Sequence, residues 1–400
     1  MKRRIIIIGH YLEIGGAETS LIGLLNALDY EKVEVDLFLY RHSGELMDKI
    51  PTHVNLLPEI PQYSFIENSI KETFISGQIL IGLTRLWAKL LFNIYKTKVK
   101  NSSIDPYYGY LERALRFVLP SLKKYGNYDL ALNFIGMPCV VLEKINAEVK
   151  VTWIHTDYGR ISVNKKLEGP RWLKFDKIVS ISKDVTRTFI QVFPDTVSKI
   201  VEIENILSPQ LIKHRAAEFN VGNEILLKKG CINILSIGRF CEAKRFEAIP
   251  KMLNIIKQNG INVHWYIIGY GDDSKIIEQC NVYNVNNMMT ILGKKSNPYP
   301  YIKACDIYIQ PSIYEGKSVT VREAQILCKP VAITNYATAK SQIIDGVDGV
   351  ILPIDIEGCA NGIVDFINNV QLRESIVEYL KTHDYGNELE VNKIYDLFMK

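Results

Sequence analysis

The richest candidate chemistry lies in Pro311-Ser312-Ile313-Tyr314-Glu315-Gly316-Lys317-Ser318-Val319-Thr320-Val321-Arg322-Glu323-Ala324. The run Asp306–Gln310 before it reads as a strand, and a helix is expected from near Ser318. Gly316 would let a ligand approach the backbone closely. Free N–H groups around Lys317, Ser318 and Val319 can hold phosphate, with the helix dipole adding roughly 0.3–1 kcal/mol or more. Glu315 precedes the helix and Glu323 lies inside it, so both carboxylates could face one ligand and accept hydrogen bonds from its hydroxyls. The structural alternative makes Glu315 a helix-start charge and Glu323 a solvated helix residue.

Three further segments carry polar groups at the ends of apolar runs. In Ile237-Gly238-Arg239-Phe240-Cys241-Glu242-Ala243-Lys244, two cations follow a strand end. Arg239 can grip a diphosphate with several donors and Lys244 adds a point charge. Together they could stabilise a departing nucleoside diphosphate, the work a metal does elsewhere. Alone, they could equally be solvated loop cations. Gly15-Gly16-Ala17-Glu18 suits close backbone approach to phosphate, although many first strand-to-helix loops carry glycine. It is not the G-x-G-x-x-G dinucleotide pattern. In Trp153-Ile154-His155-Thr156-Asp157, His155 could contact a sugar hydroxyl or be structural. Gly269-Tyr270-Gly271 reads as a tight turn after a strand, near a nucleotide or simply packed. No Asp-x-Asp pair and no His/Cys cluster with metal spacing occurs, so no metal is expected.

These segments need elements to hold them. Apolar runs at Arg4–Ile8, Val33–Tyr40, Leu130–Phe134, Val149–Trp153 and Lys177–Ile181 alternate with helix-length segments such as Glu18–Leu28. The pattern restarts with Ile232–Ile237, Val263–Ile268, Met289–Leu292, Ile307–Gln310 and Val331–Ile333. Such alternation predicts a parallel α/β architecture. The expected fold class is α/β with two Rossmann-like doubly wound domains, 1–207 and 228–387, facing a shared cleft. The break falls between about 205 and 228. Ligands bind such sheets beyond the carboxyl ends of the strands.

Residues 71–124 break the rhythm. They carry ten Lys and Arg against three Asp and Glu. Leu83, Leu86, Trp87, Leu90, Leu91 and Ile94 fall at helical spacing, with Arg85, Lys89, Asn93 and Lys96 read on the opposite face. A basic amphipathic helix over 79–100 can lie on an anionic membrane surface. It can also pack on its own domain with a solvated basic face.

Composition bounds the rest. The chain has 400 residues, 48 Lys and Arg against 44 Asp and Glu, and a net charge of +4. That length suggests two domains, and the charge is too small to argue for nucleic acid. The seven scattered cysteines read as reduced thiols, mostly buried, which makes a reducing cytoplasm the default. Ile5–Ile8 is too short for a signal peptide core and reads as a buried strand. No stretch of about twenty apolar residues exists, so no transmembrane helix is expected.

In these motifs the chain resembles the retaining glycosyltransferases of family 4, which have the GT-B fold. Gly15-Gly16-Ala17-Glu18, Gly238-Arg239 with Lys244, Ile268-Gly269-Tyr270-Gly271 and the Glu315-to-Glu323 spacing match in order. Tyr301–Asp306 and the segment Asn335–Gly349 are also similar. The likeness is specific over the C-terminal half, looser over the N-terminal half, and leaves out the basic insertion. It implies that Arg239 and Lys244 bind the donor diphosphate, Glu315 the donor sugar and Glu323 the ribose. It implies that Gly16 approaches the diphosphate, that His155 lies near the donor sugar, and that the loop at Gly293-Lys294-Lys295 holds the base. Members usually retain anomeric configuration without a metal. The final segment, 388–400, would return to the first domain. Lys317 departs from the small residue or proline common there; it could meet an anionic sugar, an acceptor or solvent. Members with Glu-Gly-Lys and Val-Arg-Glu-Ala build bacterial surface polysaccharides.

The expected function is metal-independent, retaining transfer of a sugar from a nucleotide sugar, expected to be UDP-linked. The expected acceptor is a lipid-linked saccharide at the inner membrane face, in capsule, exopolysaccharide or O-antigen synthesis. Two alternatives remain: a non-catalytic GT-B scaffold binding a partner transferase, and an enzyme such as a sugar-nucleotide epimerase.

Overall fold

The computed structural model describes residues 2–66, 68–98, 107–159, 161, 163–222, 224 and 230–398. The chain divides into two compact units, Met1–Ile206 with Glu388–Lys400, and Leu207–Asn387.

Among the described residues the first unit holds seven strands, all paired in parallel. They are β1 (Arg3–Gly9), β2 (Val33–Leu39), β3 (Asn55–Leu56), β4 (Asn127–Asn133), β5 (Asn146–Ile154), β6 (Lys177–Ser180) and β7 (Ile200–Glu202). Their order is β3-β2-β1-β4-β5-β6-β7. Ile5 to Ile8 are all buried, because β1 is central and covered on both faces. Ile5 pairs with Val35 on one side and with Leu130 on the other. The order reverses between β1 and β4, and crossover connections there leave a crevice beyond the strand ends.

The second unit repeats the arrangement. Its six strands are β8 (Ile232–Ile237), β9 (Val263–Ile268), β10 (Met289–Gly293), β11 (Ile307–Gln310), β12 (Val331–Thr334) and β13 (Val350–Leu352), again all parallel. Their order, β10-β9-β8-β11-β12-β13, reverses between β8 and β11. The buried Ser236 hydroxyl ties this core together. It accepts from Trp265 Nε1 at 2.9 Å and donates to the Ile309 carbonyl at 2.5 Å. The buried Ser236 hydroxyl and Trp265 indole N–H are thereby both satisfied.

Two stretches near the division find their place through packing. Leu207, Ile212, Ala216 and Val221 share a core with Leu235 and Val321. The stretch between 207 and 222, left unassigned by the sequence reading, therefore belongs to the second unit, while Lys228 and Lys229 lie outside the described residues. At the C-terminus, Val391, Ile394, Tyr395 and Phe398 join the core of the first unit.

The insertion folds as the helices Ile70–Ile75, Ile79–Lys98 and Tyr107–Leu115. Here the structure corrects the sequence reading. Arg85 is on the inner face with Ile81, Ala88 and Phe92. Its Nη1 donates to the Phe65 carbonyl at 2.9 Å and to Thr73 Oγ1 at 2.8 Å. Leu83, Leu86, Trp87, Leu90 and Ile94 face solvent, each more than 40 % exposed. Helical spacing groups residues on a face but does not say which face is covered, and a guanidinium with two oxygen partners can turn inward. Residues 99 and 100 of the expected helix lie outside the described residues. No helix of the described chain is long and apolar enough to cross a membrane. Cys139, Cys280, Cys305 and Cys359 are buried thiols, whereas Cys241 is exposed.

Candidate functional site

In the second unit the reversal point gathers the strongest candidates. The loop after β8 carries Arg239 and Lys244, and the loop after β11 carries Glu315. Lys244 Nζ lies 2.5 Å from Glu315 Oε1, with both side chains mostly buried. Ser312 Oγ donates to the same carboxylate oxygen at 2.7 Å. Gln310 Nε2 donates to Ser312 at 3.0 Å, and the Tyr308 hydroxyl donates to Gln310 Oε1 at 2.7 Å. A line of hydrogen bonds thus runs out of the core along β11 and fixes Glu315. Thr338 Oγ1 holds the Glu315 carbonyl at 2.9 Å. Arg239, by contrast, is exposed. The result is a clamped ion pair, with an exposed cation on the same loop as Lys244, groups able to meet a polyanion and hydroxyls.

The glycines here serve close approach. A Cβ on Gly238 would meet Lys244 Cε at 2.9 Å, so the glycine lets the lysine stem lie against the strand end. A Cβ on Gly269 would fall 2.0 Å from the Gly238 carbonyl oxygen. Gly271 has φ +126, which favours glycine, and bridges to Phe240. Gly238, Gly269 and Gly271 therefore hold the β8 and β9 loops together. Gly293 also has positive φ, and its carbonyl accepts from Gly269 N at 3.0 Å. Lys294 places its ammonium 5.1 Å from the Tyr270 ring centroid.

The helix Val319–Ile326 offers fewer N–H groups than the sequence suggests. Ser318 N already donates to Gln342 Oε1 at 3.1 Å. A phosphate at this helix start would draw on Val319 and Thr320 instead. Gly316 and Lys317 form the part-exposed turn leading into it. Glu323 is 3 % exposed, which overturns the reading of a solvated helix residue. Tyr299 donates to its Oε1 at 2.9 Å. Burial pushes the Glu323 carboxyl up to about 7, opposed by the Tyr299 hydrogen bond and the Arg215 charge. The Arg215 guanidinium lies 5.1 Å from the Tyr299 ring centroid.

In the first unit, Gly15 and Gly16 open the helix Gly16–Ala27 beyond β1. A Cβ on Gly15 would collide with Glu18 at 2.1 Å, while one on Gly16 would meet nothing within 4 Å. Gly15 is thus explained within the unit, and Gly16 borders open space. His155 follows β5. Its Nε2 lies 3.0 Å from the Phe134 carbonyl, which can only accept, so Nε2 carries the proton. Burial pushes its pKa down to about 4. His155 is therefore a neutral imidazole whose Nδ1 lone pair is buried and without a partner.

Sequence reasoning missed several positioning groups. Arg245 adopts φ +55, and its Nε donates to the Pro311 carbonyl at 3.0 Å. It thereby fastens the loop that bears Glu315 to the loop that bears Lys244. Tyr299, Thr338 and Gln342 act on Glu323, Glu315 and Ser318 from distant points of the chain. No local spacing announces them. An arginine directly after Lys244 was the one visible hint.

Comparison with known proteins bears on this geometry. Residues 222–383 match the family model described as "Glycosyl transferases group 1". The chain is 25 % identical over 372 residues to the N-acetylgalactosamine-N,N'-diacetylbacillosaminyl-diphospho-undecaprenol 4-alpha-N-acetylgalactosaminyltransferase of Campylobacter jejuni, covering 92 % of this chain and 91 % of that one. It is 28 % identical over 143 residues to the capsular polysaccharide biosynthesis glycosyltransferase CapM of Staphylococcus aureus, covering 35 % of this chain and 38 % of that one. Among solved structures it is similar to HepE of Anabaena in complex with UDP and glucose. The TM-score is 0.69 at 15 % identity, covering 98 % of each chain. The fold is that of the GT-B glycosyltransferases, and the chain resembles those of bacterial surface-polysaccharide synthesis.

Proposed function

We propose that this chain, a GT-B protein resembling surface-polysaccharide glycosyltransferases, transfers a sugar from a UDP-sugar to a lipid-linked saccharide, with retention and without a metal, as in family 4. The observation that carries the reading is the Lys244–Glu315 pair at the β8/β11 reversal point, with Arg239 exposed on the same loop as Lys244. Lys244 and Arg239 face the diphosphate, with the N–H groups of Val319 and Thr320. Glu315 takes a hydroxyl of the donor sugar, and Glu323 takes the ribose. In the reaction the acceptor oxygen bonds to the anomeric carbon as the bond from that carbon to the diphosphate breaks. Attack comes from the face the diphosphate leaves, and a leaving phosphate oxygen takes the acceptor proton. The cations stabilise the charge that develops on the leaving group. No carboxylate nucleophile is needed.

A UDP donor is supported by HepE, whose structure is a complex with UDP and glucose. A lipid-linked acceptor is supported by the Campylobacter relative, whose name specifies a diphospho-undecaprenol substrate. We place the chain in the cytoplasm, touching an anionic membrane surface through the helix Ile79–Lys98. That helix carries no Asp or Glu, its exposed charges Lys89 and Lys96 are basic, and its outer face bears Leu83, Trp87 and Leu90. Apolar insertion and attraction to anionic headgroups then act together.

The test is a panel of UDP-, GDP- and ADP-sugars with the purified chain in EDTA, read as thermal stabilisation and nucleotide release. Stabilisation and release with a UDP-sugar are expected. Stabilisation without release, even with membrane extract as acceptor, would favour the scaffold. No response to any nucleotide would refute the reading.

A further inference from the structure

The family model matches residues 222–383, yet a helix ahead of that stretch reaches the donor half of the site. The helix Pro209–Arg215, with the residue after it, turns Ile212, Arg215 and Ala216 inward. Ile212 and Ala216 share a core with Val321 and Ala324 of the helix Val319–Ile326, which bears Glu323. Arg215 lies on the same face and is 5 % exposed. Its Nη2 donates to the Ser296 carbonyl at 2.9 Å, and its guanidinium lies 5.1 Å from the Tyr299 ring centroid. Tyr299 in turn donates to Glu323 Oε1 at 2.9 Å. Asn297 Nδ2 pins the end of the first helix, donating to the Arg215 carbonyl and to Glu218 Oε2, both at 2.8 Å. Three helices thus bring a guanidinium, a tyrosine and a carboxyl into one buried chain of contacts.

The guanidinium has five N–H donors, and its Nε is buried without a partner. A buried cation is costly unless a negative charge stands near it. The other charged or titratable groups on the elements packed against Val319–Ile326 are engaged elsewhere. Lys213, His214, Glu218 and Lys303 are exposed. Tyr301 donates to Glu224, and Tyr308 donates to Gln310. Arg322 lies 5.0 Å from the Tyr385 ring centroid, and β12 carries no ionisable side chain. Burial keeps Tyr299 and Tyr308 protonated. Glu323 has the mirror-image need: burial disfavours its charge, while Tyr299 and Arg215 favour it. Each group is the other's countercharge, with Tyr299 in contact with both.

We propose that Arg215 is a positioning residue of the donor site, acting beside Tyr299 as the buried countercharge that keeps Glu323 an ionised acceptor. That Glu323 then accepts from ribose rests on the transferase reading; its pairing with Arg215 does not. The experiment is NMR on the full chain, with carbon-13 in the glutamate side-chain carboxyls and nitrogen-15 in arginine. The Glu323 signal is identified by its absence from Glu323→Gln, and the Arg215 Nε signal by its absence from Arg215→Lys. Arg215→Gln keeps a donor for Ser296 and loses the charge. Its Glu323 midpoint should lie about one pH unit above that of the wild type, the low end of what a nearby opposite charge does. Arg215→Lys keeps the charge and should titrate near the wild type. In the wild type the Arg215 Nε signal should move with the Glu323 midpoint, and in Glu323→Gln it should stay still. A wild-type midpoint in Arg215→Gln would overturn the inference, because an arginine that merely packs would alter stability and leave the titration alone. A midpoint raised equally in both variants would overturn it too. So would an Arg215 signal that ignores Glu323, a result that needs no folded glutamine variant. Binding tests the transferase reading separately. Arg215→Gln should bind UDP-glucose about fivefold more weakly than the wild type at pH 7, and equally at pH 9. Affinity that does not follow the Glu323 titration would overturn the ribose assignment and leave the pairing standing.

Discussion

Glu323 makes the donor reading measurable through pH. Its carboxyl is pushed from 4.5 up to about 7 by burial. Ribose hydroxyls donate hydrogen bonds, so nucleotide binding draws on the ionised form, with Tyr299 on Oε1 and Oε2 left for the ligand. The sign follows. Below about 7 the group is protonated and must lose its proton before it can serve. At pH 5.5 the penalty is a factor of 1 + 10^1.5, about thirtyfold, and at pH 8 it is close to one. UDP-glucose is the suitable ligand, because its diphosphate is fully esterified and does not titrate in this range. Isothermal titration from pH 5.5 to 8 should show affinity rising about thirtyfold. Glu323→Gln should bind about tenfold or more weakly at pH 8, since hydrogen bonds to a charged group are worth about 1.5–3 kcal/mol. Its profile should be flat. Stability gives an independent check. A raised carboxyl pKa contributes stability that is fully present below 4.5 and is lost as pH rises through about 7. The difference of 2.5 pH units at 1.36 kcal/mol each is about 3 kcal/mol. Between pH 4.5 and 7.5 the wild type should lose about that much relative to Glu323→Gln, since the other groups that titrate over this range, Glu168 and His155 among them, act alike in both chains. A flat wild-type binding profile, or an unchanged slope in the variant, would refute the role given to Glu323.

Arg239→Ala and Lys244→Ala should each reduce turnover about 10²–10³-fold, the usual loss on removing one electrostatic stabiliser. They should differ in the melt: Arg239 is exposed and its loss should be silent, whereas loss of Lys244 strands the part-buried Glu315 and should lower the melting temperature. Near-normal rates in both would remove the diphosphate assignment. In flotation assays with anionic vesicles, Trp87→Ala with Leu90→Ala should weaken binding more than Lys89→Ala with Lys96→Ala, and both pairs should matter. Unchanged flotation would end the membrane reading. Gly269→Ala should destabilise the second unit by about 3 kcal/mol or more, because its Cβ would overlap the Gly238 carbonyl. A variant with wild-type denaturant midpoint would show that the two loops are not so closely packed.

How much of this was legible depends on the range of the forces involved. Parallel architecture could be read locally, since a buried strand must be an unbroken apolar run. Ile232–Ile237, Val263–Ile268 and Ile307–Gln310 stand where their composition places them. The edge strands Asn55–Leu56, Ile200–Glu202 and Val350–Leu352 were not legible. Two or three residues paired through their backbones leave no periodic mark. The placement of Arg239 and Glu315 after strand ends was also readable, because Gly238 and Gly316 adjoin them, and Lys244 lies in the same loop as Arg239.

What the residue order by itself determined was therefore which groups stand at strand ends and which segments form the two sheets. Only the tertiary structure decided what those groups meet. Lys244 finds Glu315 because β8 and β11 are neighbours at the reversal point. Ser318 loses its free N–H to Gln342, and Glu323 gains Tyr299. Arg85 turns inward because Phe65 and Thr73 present oxygens there, which leaves Leu83, Trp87 and Leu90 outside. Each outcome turns on partners brought close by chain crossovers. Periodicity along a segment reports its faces, while the neighbour that covers a face or satisfies a charge is set by packing between segments.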